Sequence, residues 1–550
     1  MLKTKKLDMW SFATLFLVAL FGLFLIYPFF NILKEAVYAG EGNFTLERFV
    51  RFFSDPYYFN TIWNSAKVTV WVTIACVLLV LPLSYFYSFY RIRGSKFIFV
   101  ASLLCAMSAP FIGAYSWVML LGRSGVITEL LYNLFNIQIG PIYGFWGIVW
   151  VQTLKFFPLI FIYMNGAFRN IDNSLMEAAE SLGCTGVSRF FKVLLSLSMP
   201  TLLAAALMVF MRAFADFGTP LLIGEGYRTF TVEIYNQYMG EVGTDHGFAA
   251  TISIIAVIVT ALIFLFQKIA TNRYKFSMSA LHPMEKKSTK GIKSILMHLY
   301  CYLVVGIALL PQAYILYLSF RNCTGNRFKA GYSLMNYKAA MGQHLGRSIK
   351  NTLIMGAGSL AIIILISIVL SYLVVRRSNV INNALDTVGM MPYVIPGAVT
   401  GIALIISFNA EPISIVGTVW IMILALVFRR LPFTIRSASA TLMQIPLSIE
   451  EASLSLGASK FSTLTEITIP LMASGIISGA ILSWIAIITE LSSGIILYNN
   501  RNINLTVGTY VQIVRGNYGI ACAYASVLTL FTIISLWIYL AVSKSEDVNL

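Results

Sequence analysis

The chain has 550 residues, 58% apolar and only 11% charged, with a formal net charge of +16. Soluble proteins carry about 25% charged residues, so this deficit excludes an ordinary soluble globule and places most of the chain in lipid. The Lys and Arg residues are strung between apolar stretches instead of lying on one face, which points to membrane orientation and away from a nucleic-acid partner.

The basic start, Met1-Leu-Lys-Thr-Lys-Lys6, precedes an apolar run to about Phe30. That run is longer than a signal-peptide core and has no small-x-small cleavage pattern after it, so it reads as a retained transmembrane helix beginning in the cytoplasm. A polar segment, 43–60, leads to spans near 63–90, 97–121 and 145–168, the last with Pro158 as a tolerated kink. A polar loop at 171–198 follows, then spans near 199–222 and 248–269. The linker 271–294 carries Lys286, Lys287, Lys290 and Lys293 and is the most basic connector in the chain. Beyond it, spans near 295–320, 348–375, 384–408, 415–437, 471–497 and 521–542 repeat the plan, with a second polar loop at 438–470. Six cysteines (Cys76, Cys105, Cys184, Cys301, Cys323, Cys522) are scattered without a CxxC pair and read as small apolar side chains. Four histidines show no ligand spacing, so no permanently held metal is expected.

The expected fold is an all-α integral membrane protein of about twelve transmembrane helices. Two homologous six-helix halves, 1–270 and 295–550, flank the linker. An even number of spans inserts both halves in the same orientation, which implies a pseudo-twofold along the membrane normal and places both termini in the cytoplasm. The positive-inside rule supports this at Arg91/Arg93/Lys96, at 268–293, at Arg376/Arg377 and at Arg429/Arg430/Arg436. The loop 321–350, expected outside, breaks the rule with Arg321, Arg327, Lys329, Lys338, Arg347 and Lys350.

The two polar loops carry a repeated string. Glu177-Ala-Ala-Glu-Ser-Leu-Gly183 matches Glu451-Ala-Ser-Leu-Ser-Leu-Gly457 at five of seven positions. The shift of 274 that carries 177 to 451 also pairs Pro158 with Pro432, Ile171 with Ile445, Ser174 with Ser448 and Asp216 with Glu490. One shift serving so many landmarks indicates internal duplication. Asn64-Ser-Ala-Lys-Val, ahead of one span, likewise resembles Asn351-Thr-Leu-Ile-Met ahead of its counterpart. In each loop Ser174 or Ser448 is placed to cap a helix, with Glu177 or Glu451 three residues on as capping partner. Gly183 or Gly457 then ends the helix in a left-handed turn. A second amphipathic piece follows, 187–195 or 461–469, and Pro200 or Pro470 leads back to the membrane. Two short helices hinged at glycine form a knob facing the cytoplasm, suited to receive a push from outside the bilayer. The plain alternative is an interfacial helix–turn–helix packed on its own bundle. Two copies with the same glycine spacing favour the device.

The string EAA-x3-G, with a downstream aliphatic and proline, resembles the cytoplasmic loop of binding-protein-dependent ABC importer permeases. The second copy supplies Glu451, Ala452, Gly457, Ile467, Ile469 and Pro470. The first supplies Glu177, Ala178, Ala179, Gly183, Val193 and Leu195, with Ser196 where the proline belongs and Ser453 departing in the second copy at the third position. Two permease domains in one polypeptide resemble the ferric-iron subgroup, with Ala215-Asp-Phe-Gly218 and Thr489-Glu-Leu491 at corresponding places. The resemblance implies a coupling helix in each copy, docked on an ABC ATPase homodimer at the cytoplasmic face. It also implies an extracytoplasmic solute-binding protein and residence in the cytoplasmic membrane of a prokaryote. No G-x-x-x-x-G-K-[ST] phosphate loop occurs in the chain. No cofactor is therefore expected on this chain, and ATP and Mg belong to the partner. Ferric iron is the expected solute. Polyamine, thiamine or phosphonate are alternatives on the same machinery, and an ion-driven twelve-span carrier is a more distant one.

Ionisable residues inside spans are costly and so are functional candidates. Asp216 and Glu490 occupy equivalent positions in the fifth span of each half, where, paired across the pseudo-twofold, they would line a cation route or its outer gate. The competing reading is that each caps a helix or pairs locally, with Arg212 one turn before Asp216. Lys155 and Glu411 are assigned to span ends, where snorkelling or exposure suffices.

Overall fold

The structure is a computed structural model that describes residues 9–38, 43–138, 140–240, 245–273 and 286–542. The basic start at 1–6 and linker residues 274–285 lie outside the described residues. Among the described residues the regular structure is helical apart from one hairpin, Arg321–Thr324 against Arg327–Tyr332. That hairpin occupies the loop that defies the positive-inside rule.

Among the described residues nine helices are long and apolar enough to cross a membrane, and two bent pairs raise the number to eleven. The remaining expected span, 415–437, is the helix Val419–Gln444. Its 26 residues rise about 39 Å at 1.5 Å each, but it carries Arg429, Arg430 and Arg436. This corrects the placing of those arginines in a cytoplasmic loop: they lie along the helix.

The third span of each half was expected to be continuous and is broken at a proline. Ser95–Met107 turns by 101° into Phe111–Phe135, and Val380–Val394 turns by 112° into Gly397–Phe408. Ala109 and Ile395, the residues before Pro110 and Pro396, are extended with ψ of 128° and 132°. Proline disfavours helical geometry at the preceding residue, which stops the helix there. The fifth spans also differ from expectation. They start earlier and finish earlier, as Gly186–Phe214 and Lys460–Ile488, each running through a π-helical turn at Phe190–Leu194 or Thr463–Thr468. The second amphipathic piece of each loop is therefore the leading end of a transmembrane helix and not a separate short helix.

The chain packs as two compact units, Met1–Arg51 with Ile234–Val257 and Leu318–Leu550, and Phe52–Glu233 with Ile258–Tyr317. In the first, the leading span Met9–Val37 lies on helices of the second half. Trp10 stacks on Tyr372 at 4.3 Å between ring centroids, and Phe21 meets Phe428 edge-on. In the other unit, Ile292–Phe320 packs on the first half. Tyr300 donates to the Leu79 carbonyl at 2.9 Å, and Cys301, Val304, Val305 and Ala308 join its core. Packing and sequence repeat thus partition the chain differently, because each core of spans two to five is completed by the other half's first helix. Five of the six cysteines are buried, as small apolar side chains should be.

Candidate functional site

The loop helix of the first copy is Asn173–Ser181 and that of the second is Leu447–Ser455. The caps are not the expected serines. Asp172 caps the first helix, its carboxylate accepting from the Ser174 amide at 2.9 Å, and Pro446 opens the second without a side-chain cap. Proline tolerates that position because the first amides of a helix have no partner to lose. Glu177 therefore makes no capping box; it accepts from Asn173 Nδ2 at 2.6 Å. Glu177, Ala178, Glu451 and Ala452 are all exposed.

The glycine stops behave as the sequence predicts. Gly183 sits at φ +77° and Gly457 at φ +91°. Cys184 and Ala458 return their amides to the carbonyls of Ala179 and Ser453 at 2.9 and 3.2 Å, closing the same six-to-one turn in both copies. A Cβ at either glycine meets nothing within 4 Å, so only backbone geometry demands glycine. Gly183→Ala or Gly457→Ala is expected to cost about 1 kcal/mol of local stability. Gly183→Val with Gly457→Val should abolish uptake while membrane levels, read by immunoblot, stay normal. Normal uptake in that variant would remove the loops from the transport cycle.

Each knob is fastened to its unit by a different chemistry. In the first, Met176 is buried in the apolar core and Arg189 donates to Glu180 at 2.6 Å. In the second, Glu450 stands at the place of Met176, buried, and accepts from Arg376 Nε at 2.8 Å and from Tyr372 at 3.1 Å. Ser453 and Thr463, at the places of Ala179 and Arg189, share a hydrogen bond of 3.0 Å. What the copies have in common is what they expose. Leu182 and Leu456, each directly before the glycine, are 87% and 89% exposed, and Val187 and Phe461 beyond the turn are 73% and 60% exposed.

Asp216 and Glu490 lie just past the last turn of the fifth-span helices, where the chain breaks before a short helix, Gly218–Ile223 or Gly494–Leu497. A helix C-terminus carries partial negative charge, so a buried carboxylate there requires a cation. Asp216 receives Lys155 Nζ at 2.9 Å and Gln152 Nε2 at 3.0 Å. Glu490 is held by Arg430, lies 3.4 Å from Arg429 Nε, and accepts from the Ser493 amide at 3.3 Å, capping the short helix that follows. Local pairing thus describes both carboxylates, with an amide contact to the next helix at Glu490 alone, but the partner of Asp216 is not Arg212. Lys155 is not at a span end: it sits within Phe145–Arg169 with its side chain only 14% exposed. Glu411 is exposed, as expected. The signal for the missed partner was available, because the 274 shift carries Lys155 onto Arg429. Asn64 and Asn351 also play one part twice, gripping the carbonyls of Arg228, or of Arg501 and Ile503, in the segment after the fifth span.

A bundle of long apolar helices carrying a duplicated exposed knob is the architecture of a multi-pass membrane protein. The chain belongs to the family of binding-protein-dependent transport system inner membrane components, whose model matches residues 18–276 and 363–547. The ferric transport system permease protein FbpB of Actinobacillus pleuropneumoniae is 30% identical over 94% of this chain and 76% of its own length. The putative ferric transport system permease protein FbpB 1 of Haemophilus influenzae is 30% identical over 90% and 79%. A bacterial ABC transporter that imports alginate matches 47% of this chain and 93% of its own at 18% identity, with a TM-score of 0.41, too low to add to the assignment.

Proposed function

We propose that this permease carries ferric iron from an extracytoplasmic binding protein to the cytoplasm, driven by an ABC ATPase homodimer that grips the two knobs. ATP and Mg sit on that partner. The observation that carries the reading is the pair of leucines, Leu182 and Leu456, held bare at equivalent turns. Solitary exposed leucines are ordinary. A rigid turn that presents one in each copy of a repeat has the form of an anchor for an apolar pocket. Glu177 and Glu451, exposed beside them, offer each pocket a charged rim. The cargo rests on the relatives, whose names specify ferric transport over most of this chain.

The loops face the cytoplasm in this reading, with both termini on the same side. The halves 1–270 and 295–550 each contribute one coupling helix. The test is reconstitution in proteoliposomes with its ATPase and binding protein, followed by uptake of radioactive ferric iron. Uptake is expected only with ATP on the side the knobs face, opposite the binding protein, and only with binding protein present. Transport driven by a proton or sodium gradient with no ATPase present would replace this reading with a secondary carrier.

A further inference from the structure

The loop 321–350 breaks the positive-inside rule, and the structure shows how rigidly it is built. The Tyr518 amide, at the start of the last span, donates to the Gly325 carbonyl in the hairpin turn at 3.2 Å. Asn336 Nδ2 donates to the carbonyls of Ser319 at 3.0 Å and Arg321 at 2.7 Å. Gly519 leaves no room for a Cβ beside Asn336 and Cys323. Arg347 reaches across to the Asn500 carbonyl at 3.2 Å, joining the second span to the turn that carries Arg501. All of these residues belong to one compact unit. The same contacts fix its side of the membrane. Between the second knob and Tyr518 the chain makes one crossing, Lys460–Ile488, because the ten-residue helix Leu505–Val514 is too short to span. The hairpin, bonded to Tyr518, therefore lies on the face opposite that knob.

This cap is basic and uncompensated. Of the six cations in 321–350, all but Arg321 are exposed, and so are Arg501 and Arg515. The sequence has no Asp or Glu from 318 to 385 or from 491 to 545, and the neighbouring turn 409–418 supplies Glu411 alone. None of these cations enters an ion pair among the described residues. The first half differs. Three arginines that follow its odd-numbered spans each meet an acid: Arg51 and Asp245 at 3.7 Å, Arg123 and Glu225 at 3.0 Å, Arg228 and Glu233 at 3.6 Å.

We propose that the hairpin Arg321–Tyr332, with Lys338, Arg347, Arg501 and Arg515 around it, is a docking platform for an acidic face of the extracytoplasmic binding protein. This rests on the reading above that such a protein delivers the solute. Cations on that face oppose the insertion bias and repel one another, so they require a use. They stand on separate segments, the hairpin, the helix Met335–Gly342 and the turns at Arg501 and Arg515, which suits a broad protein surface better than one small anion. Exposed charges of this kind act chiefly on the rate and register of association. Register matters here because the halves are copies of one repeat, and a partner meeting two similar halves has two ways to sit. Unpaired charge on the second half favours one of them.

The test uses the full complex in nanodiscs of neutral phosphatidylcholine, with association to the immobilised binding protein of the uptake assay followed in time. Association of the wild-type complex should slow steeply as salt rises from about 50 to 500 mM, where screening shortens the reach of charge. Arg327→Glu with Lys329→Glu and Lys338→Glu should associate about tenfold more slowly at low salt, with little further response to salt. Its ATPase should still co-purify, because none of the three touches the knobs. Arg123→Gln, on the first half, should associate like the wild type; a slowing as large as the triple variant's overturns the assignment to the second half. A triple variant with the rate and salt response of the wild type overturns the platform and leaves the binding-protein reading standing. A defect seen only in nanodiscs containing phosphatidylglycerol gives the cations to lipid headgroups and overturns the platform as well. A wild-type complex that never binds the protein overturns both readings.

Discussion

Asp216→Asn is expected to destabilise the chain by about 3–5 kcal/mol, the range for removing one partner of a buried ion pair. The loss arises less from the missing attraction than from Lys155, left charged with its side chain 14% exposed. Gln152 cannot compensate, because its amide nitrogen, like the Lys155 ammonium, is a donor aimed at the vacated carboxylate position. Glu490→Gln should be worse. There two guanidiniums, Arg429 and Arg430, converge on one carboxylate, so neutralising it leaves two buried cations facing each other. Thermal unfolding in detergent, followed by tryptophan fluorescence, reads both effects. The double variant Lys155→Met with Asp216→Leu removes the charges together and should regain most of the stability lost by Asp216→Asn alone. If the single variants unfold at the wild-type temperature, the pairs are not staples of the helix break. The stable double variant also decides the other role considered for these residues. A structural pair permits uptake once stability is restored, whereas a carboxylate lining a cation route leaves a stable protein that no longer transports.

The repeat was legible in the sequence because duplication preserves spacing, and spacing survives where chemistry has drifted. The 274 shift found both loops and both carboxylates, and it already aligned Lys155 with Arg429. The alignment went unused because the lysine reads first as a span end and the arginines as part of a cytoplasmic loop. Their partners lie 60 residues onward in the case of Glu490 and Arg430, and no local pattern records that proximity. The caps were misread for a related reason. Ser-x-x-Glu is a local signature, but Asp172 and Pro446 begin their helices two residues earlier and take the serines into the first turn. Left-handed glycines were read correctly since φ is a property of the residue itself. The exchange of first spans between packing units was beyond any periodicity argument. An apolar helix reads the same whichever bundle it joins, and only contacts such as Trp10 on Tyr372 distinguish the choices.

Leu182→Asp with Leu456→Asp is expected to reduce ATP-driven uptake to background. Neither side chain holds its own knob together: with 87% and 89% of their surfaces exposed, the leucines contribute little to folding. Surface substitutions away from packing change stability by about 0.5 kcal/mol or less, so membrane levels should stay normal. Their effect falls on whatever covers them. Placing a carboxylate in an apolar pocket costs more than removing the leucine, because the charge must be desolvated as well. Truncating a buried interface anchor alone costs about 2 kcal/mol or more, roughly a thirtyfold loss of affinity. In the proposed function the two knobs serve one partner dimer, so losing both removes the gain from bivalent attachment. Co-purification of the ATPase should therefore fall steeply in the double variant and more mildly in each single one. The single variants need not be equal. The second knob is tied down by Glu450 to Arg376 and Tyr372, and the first by Met176 packing and an Arg189–Glu180 pair whose acid is 57% exposed. Force transmitted through the better anchored knob moves its helix bundle with less slack, so Leu456→Asp should impair transport more than Leu182→Asp. Equal ATPase recovery and undiminished uptake in the double variant would leave the exposed leucines without a partner and the coupling role without its contact.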